Sequence, residues 1–206
     1  MSQPAFDAVV VGYMGFTETV GANTGIAAIW SALRSLSSPR VFVHSPLAWD
    51  DNAEERAAFL ASVTDADSVI AIYAYSWGAG WGATRLCEAL ERRGRRVALL
   101  VMIDPVYRSP LLIGRFRSLM NRVWAPVITL PDSVERVVVL AQGRDKPQAH
   151  DVILRGRTVP VEYVAGVGHR TIDNDIVVLQ DVYHEVSTAV RDALKPSAIN
   201  PQLSEN

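Results

Sequence analysis

Short, continuously apolar runs recur along the chain, separated by stretches whose apolar residues return every three or four positions. The runs "DAVVVGY" (7–13), "VFV" (41–43), "VIAIYAY" (69–75), "VALLVMI" (97–103), "VVVLAQ" (137–142) and "VPVEYV" (159–164) predict strands. Several lack the alternation of a strand with one wet face. That is the mark of strands covered on both sides, as in a parallel sheet. The segments 23–36, 52–63, 77–93 and 175–193 predict helices. In the second, Asp51 or Asn52 stands at the N-cap position with acids in the first turn. In the third, Ala79, Ala83, Leu86 and Leu90 share a face before Gly94 ends it. Strands that alternate with helices imply an α/β fold: a mostly parallel central sheet of about six strands with helices on both faces.

Two regions depart from this rhythm. Residues 105–133 are too long for a simple crossover and hold four prolines and an amphipathic basic stretch at 112–124. Leu112, Phe116, Leu119 and Met120 could share one face there. The segment reads either as an ordinary crossover helix or as a small cap (107–124) after the strand ending at Asp104, with Leu112 and Phe116 lining a substrate pocket. The last residues, 195–206, hold two prolines and few apolar positions, and predict a flexible tail to a single domain over 1–194.

Composition narrows the classes. The chain has 206 residues, 49% of them hydrophobic and 20% charged, with a net charge of −2. That suits one soluble globular unit and gives no basic patch for nucleic acid. No apolar run reaches membrane-spanning length and no signal peptide is visible, so the expectation is a cytoplasmic protein with no membrane span. The single cysteine, Cys87, excludes an internal disulfide and reads as a buried small hydrophobe. Nothing implies a metal or a cofactor, and the oligomeric state is not encoded in any visible pattern.

The candidate chemistry lies where "VIAIYAY" gives way to "SWGAGWGA". The stretch "AYSWG" (74–78) follows G-x-S-x-G with alanine in the first glycine place. A serine at a strand-to-helix turn is thrust outward, and the residues two before and two after must be small to pack against neighbouring strands. Ala74 and Gly78 qualify. The amide of Trp77, at the helix N-terminus, would face a developing oxyanion. A second donor would come from Tyr13 or Met14 in "GYMGF". A rival reading takes Gly78, Gly80 and Ala83 as a G-x-G-x-x-A dinucleotide-binding bend, with Asp104 as a ribose acid. Bulky Trp77 and Trp81 in that turn argue against it. A third reading makes Ser76 only a helix cap.

The choice depends on partners downstream. His169, in "VAGVGHRTIDND", follows the last predicted strand, whereas His44, His150 and His184 precede the serine, sit mid-chain, or lie on the final helix. Asp104 and Asp145 both stand after strands and before His169, so either completes the order Ser, Asp, His. Trp30, Trp49, Trp77, Trp81 and Trp124 would make an aromatic pocket only where several converge.

With these residues in place the chain resembles the α/β-hydrolase superfamily, in a minimal form. More narrowly, "YSWGAGWGATRLCEALERRGRRVALLVMIDPV" resembles the thioesterase domains of polyketide and nonribosomal peptide synthases. The resemblance implies a serine hydrolase acting on a small-molecule ester or thioester through Ser76, His169 and an acid. The thioesterase layout maps the acid onto Asp104, which is the preferred acid because it ends a clear strand adjacent to the one that carries Ser76. The layout of many other members maps it onto Asp145, in "QGRDKP". A fold member without catalysis, acting as a binding protein, is the alternative.

Overall fold

The computed structural model describes residues 5–16, 18–19, 23–107 and 127–195. The proposed cap, with Leu112 and Phe116, lies outside the described residues except for Tyr107, as do Trp124 and the tail beyond Lys195.

All six runs read as strands enter one sheet: β1 (Ala8–Tyr13), β2 (Val41–Val43), β3 (Val69–Tyr75), β4 (Leu99–Ile103), β6 (Val137–Ala141) and β9 (Val161–Tyr163). Their spatial order is β2-β1-β3-β4-β6-β9, and every pair is parallel. β1 and β4 are buried at every residue and β3 at all but its first, which is why they carry no polar alternation. β9 is outermost, pairs with β6 alone through Val161, Glu162 and Tyr163, and is largely exposed.

Both faces are covered. Val9, Val11 and Tyr13 of β1 and Ile70, Ile72 and Ala74 of β3 pack towards α2 (Ala53–Val63) and α3 (Thr84–Glu91) through Leu60, Leu86 and Leu90. The alternate residues Val10, Ala71, Tyr73 and Tyr75 pack towards α1 (Gly25–Leu33) and α4 (Ile176–Ala193) through Ile29, Leu33, Val182 and Val186. The helices start where their caps are. Asn52 Oδ1 accepts from Glu54 N and Glu55 N, Thr24 Oγ1 from Ala27 N, and Asp175 from Val177 N and Val178 N.

A second small sheet was not visible in the periodicity. β5 (Ile128–Leu130) pairs parallel with β7 (Val152–Leu154), and β7 pairs antiparallel with β8 (Arg157–Thr158). These strands have two or three residues each, too short to establish a period. Among the described residues, no helix is long and apolar enough to cross a membrane.

Candidate active site

β3 ends at Tyr75, and the next residue, Ser76, has a φ of 53°. Serine rarely adopts this left-handed region, at a cost of about 1–2 kcal/mol. The surroundings hold it there. A wide π-helical turn (Gly78–Ala83) begins two residues later and runs into α3. Its glycines mark close approach. A Cβ on Gly78 would lie 2.2 Å from the Met14 carbonyl oxygen, one on Gly80 2.3 Å from that of Val106, and one on Gly82 2.7 Å from that of Trp49. Protein backbone therefore packs closely against Gly78 and Gly80, the two glycines of the supposed dinucleotide bend. Ala74, fully buried, is the small residue on the strand side.

The C-terminal edge of the sheet brings three side chains together. Ser76 Oγ lies 2.9 Å from His169 Nε2, and His169 Nδ1 lies 2.5 Å from Asp104 Oδ2. Asp104 is the residue directly after β4, also at a left-handed φ (42°), and is fully buried. His169 lies in the loop between β9 and α4, and its carbonyl accepts the Tyr75 hydroxyl. The imidazole is largely covered, with its side chain 12% exposed.

Asp145 does not reach the imidazole ring in this arrangement. Its half-exposed carboxylate stands over Gly168, 1.8 Å from where a Cβ on that glycine would be. Its loop is organised by Gln142, a residue that strand and motif reasoning passed over. Gln142 donates to Asp104 from both its backbone N–H (3.4 Å to Oδ1) and its Nε2 (3.2 Å to Oδ2). Nε2 also meets the carbonyls of Asp145 and Pro147, and Oε1 accepts from Arg144 N and Asp145 N. The only signal for it was a polar residue closing the apolar run "VVVLAQ". Buried at 1% exposure, it supplies donors that a buried carboxylate needs.

The loop after β1 crosses the Ser76 turn. Met14 N–H donates to the Leu47 carbonyl at 2.9 Å, and Tyr13 ends β1 in register with Ala74. The Met14 amide therefore already has an acceptor, as does the next amide along, Gly15, which donates to Glu18 Oε2 and lies beside Tyr75, whose ring would be 2.8 Å from a Gly15 Cβ. Phe16 packs on Trp77 at 4.0 Å between ring centroids, and Trp49 packs on Trp77 at 4.8 Å. Two of the five tryptophans thus converge beside Ser76. Trp81 pairs instead with Tyr107 and Arg85, and Trp30 with Arg34.

The other histidines are engaged elsewhere. His44 contacts Arg56, His150 Nδ1 accepts from Tyr107 N, and His184 lines a cleft with Arg136 and Glu185 near the starts of β3 and β4. Cys87 is fully buried, and burial pushes its thiol pKa up, away from the reactive thiolate. Among the described residues, no group of three or more His, Cys, Asp or Glu could hold a metal ion.

No protein-family model and no curated protein matches the sequence. Among solved structures, an esterase from Pyrobaculum calidifontis, in a monoclinic form, is similar over 93% of this chain and 79% of that one. The TM-score is 0.53 and the sequence identity 16%, so the likeness is one of fold. The chain shares with that esterase an α/β fold, here a central sheet of six parallel strands flanked by helices.

Proposed function

We propose that the protein is a serine hydrolase that cleaves a carboxylic ester or thioester of a small molecule through an acyl-enzyme. The observation that carries this reading is the continuous hydrogen-bonded line Ser76–His169–Asp104, with the serine held at a φ of 53° between β3 and the following helix. A serine that only capped the helix would need neither that backbone nor a histidine on its oxygen. Asp104, as a carboxylate, accepts Nδ1–H and so leaves Nε2 to accept the serine proton.

In the first step Ser76 Oγ attacks the carbonyl carbon as Nε2 takes its proton. The tetrahedral oxyanion is held by the Trp77 N–H and an amide of the loop after β1. The Met14 and Gly15 amides already donate, to the Leu47 carbonyl and to Glu18 Oε2, so the second donor has to be freed as the carbonyl oxygen binds. The imidazolium then protonates the leaving alcohol or thiol. Water, deprotonated by the same nitrogen, releases the acid and restores Ser76. The buried charge of Asp104 stabilises the imidazolium in both steps.

The test is labelling with a fluorophosphonate, together with hydrolysis of p-nitrophenyl esters and acyl thioesters. The wild type should form one adduct on Ser76 and turn over substrate, and Ser76→Ala should do neither. A folded protein that resists the probe and turns over neither class would instead be a binding protein on this fold.

A further inference from the structure

Tyr75 is the last residue of β3 and stands one position before Ser76. It pairs with Ile103, the residue before Asp104, so its main chain belongs to the interior strands that carry both groups. Its side chain is buried on the face covered by α1 and α4, and its hydroxyl donates to the carbonyl oxygen of His169. The phenol ring also lies beside the imidazole, with 5.5 Å between centroids and a tilt of 33°. It meets the loop after β1 as well: a Cβ on Gly15 would fall 2.8 Å from Tyr75 Cδ1 and 2.9 Å from Cε1. The ring thus touches two loops of the site, and none of the acyl-transfer steps uses it.

The turn that carries His169 has few other holds. It begins after β9, which pairs with β6 alone, where Val164 N–H donates to the Ala141 carbonyl. It ends where Asp173 Oδ2 accepts from Gly25 N–H at 3.1 Å. Between these points its backbone bonds are internal: Gly168 N–H donates to Thr171 Oγ1, and Thr171 N–H and Ile172 N–H donate to the Gly168 carbonyl. Among the described residues, the Tyr75 hydroxyl is the one hydrogen-bond donor from another element to the backbone of residues 165–172. A reacting group keeps its geometry when side chains that are themselves locked by packing hold it, and a buried ring on an interior strand is such a hold.

We propose that Tyr75 is a positioning residue: its hydroxyl ties the main chain of His169 to the strand that carries Ser76, and so keeps Nε2 in line with the serine oxygen. Ser76 and Asp104 follow paired interior strands, whereas the imidazole comes from a turn. The placement serves two contacts at once, Ser76 Oγ to Nε2 at 2.9 Å and Nδ1 to Asp104 Oδ2 at 2.5 Å. Without the tie the turn shifts while the serine and the carboxylate stay, and proton transfer slows because its geometry is lost. The positioning role rests on the serine-hydrolase reading, whereas the tie itself does not.

Tyr75→Phe removes the hydroxyl and keeps the ring. Tyr73→Phe is the control, because Tyr73 is a buried tyrosine of the same strand whose hydroxyl has no partner among the described residues. On a p-nitrophenyl ester, Tyr75→Phe should lower kcat by ~10-fold or more with KM little changed, since a misplaced base acts on the transition state. Tyr73→Phe should match the wild type. The second readout needs no substrate. In protein labelled with 15N-histidine, solvent exchange of the His169 Nδ1 proton should be ~10-fold faster or more in Tyr75→Phe, because the bond that shields it opens more often, and unchanged in Tyr73→Phe. Wild-type exchange in Tyr75→Phe overturns the tie, whatever the activity. Faster exchange with wild-type kcat, or an equal loss of kcat in Tyr73→Phe, overturns the positioning role and leaves the hydrolase reading intact. A wild-type protein that turns over no ester overturns that role together with the hydrolase reading, while the exchange rates still decide the tie.

Discussion

Asp104→Asn tests the acid assignment, and the structure sets the size of the effect. Oδ2 receives two donors, His169 Nδ1 at 2.5 Å and Gln142 Nε2 at 3.2 Å, while Oδ1 receives only the longer bond from Gln142 N. An asparagine therefore turns its oxygen towards the two donors and its NH2 towards the weak one. His169 keeps its Nδ1 proton, and the variant loses charge rather than tautomer. A unit charge about 4 Å from an imidazolium contributes about 4 kcal/mol at an effective dielectric constant of about 20. Part of that is retained by the neutral hydrogen bond. A remaining loss of about 3–4 kcal/mol corresponds to roughly 10²–10³ in kcat. The wrong tautomer would cost about 10⁴. The assay is kcat on a p-nitrophenyl ester for Asp104→Asn and Asp145→Asn, with circular dichroism to establish folding and 15N shifts of His169 to report the tautomer. A loss near 10⁴ with Nδ1 deprotonated would refute the orienting role of Gln142. Near-normal turnover in Asp104→Asn with a large loss in Asp145→Asn would move the acid to Asp145.

Three further outcomes follow from packing and charge. Gly78→Ala should be destabilised by several kcal/mol, or fail to fold, because its Cβ meets the Met14 backbone oxygen at 2.2 Å; a wild-type melting temperature would refute the close approach. Tyr73→Phe should be neutral or stabilising in urea titration, since the buried Tyr73 hydroxyl has no partner among the described residues. A loss above about 1 kcal/mol would reveal a hidden one. Stability should fall as pH rises from about 4.5 to about 7, because the unfolded Glu18 releases its proton at its ordinary value while the folded one keeps it. Raised Asp173 acts with the same sign, whereas Glu54 and Asp65, both lowered, act only at more acid pH. Glu18→Gln should flatten that slope in urea titrations across the window, and an unchanged slope would contradict the burial of Glu18.

The central sheet was legible because its strands are apolar on both faces and separated by capped amphipathic helices, two signals that agree at each step. Ser76 and His169 could be located because strand ends and glycine-flanked turns are local features. The sequence favours Asp104 over Asp145 as the end of a clear strand beside that of Ser76, although the choice is not a local one. Both follow strands, and only the pairing of β4 with β3 and β6 brings Asp104 beneath the imidazole. Gln142, Glu18 and Asp173 escaped notice for the same reason. Each is an ordinary polar residue in sequence, and its meaning lies in partners as far as 38 and 148 positions away. The Met14 amide looked available until the chain at Leu47 folded against it. Short β5, β7 and β8 gave no periodicity to read.

His169, the proposed base, follows a short and exposed edge strand of the sheet. Ser76 and Asp104 end strands that have a neighbour on each side, but the loop of His169 follows β9, three residues paired on one flank only. Local opening costs least where backbone bonds are few and exposed. Fraying of β9 can therefore carry the imidazole away while the serine and the carboxylate stay in place. Mild denaturant or warming should silence such a protein before it unfolds, and cooling should restore it without refolding the core. On the proposed function, the edge strand is a thermal fuse in series with the chemistry. Substitutions that shorten or lengthen its pairing with β6 would set the temperature at which the fuse opens, and leave the interior strands as they are.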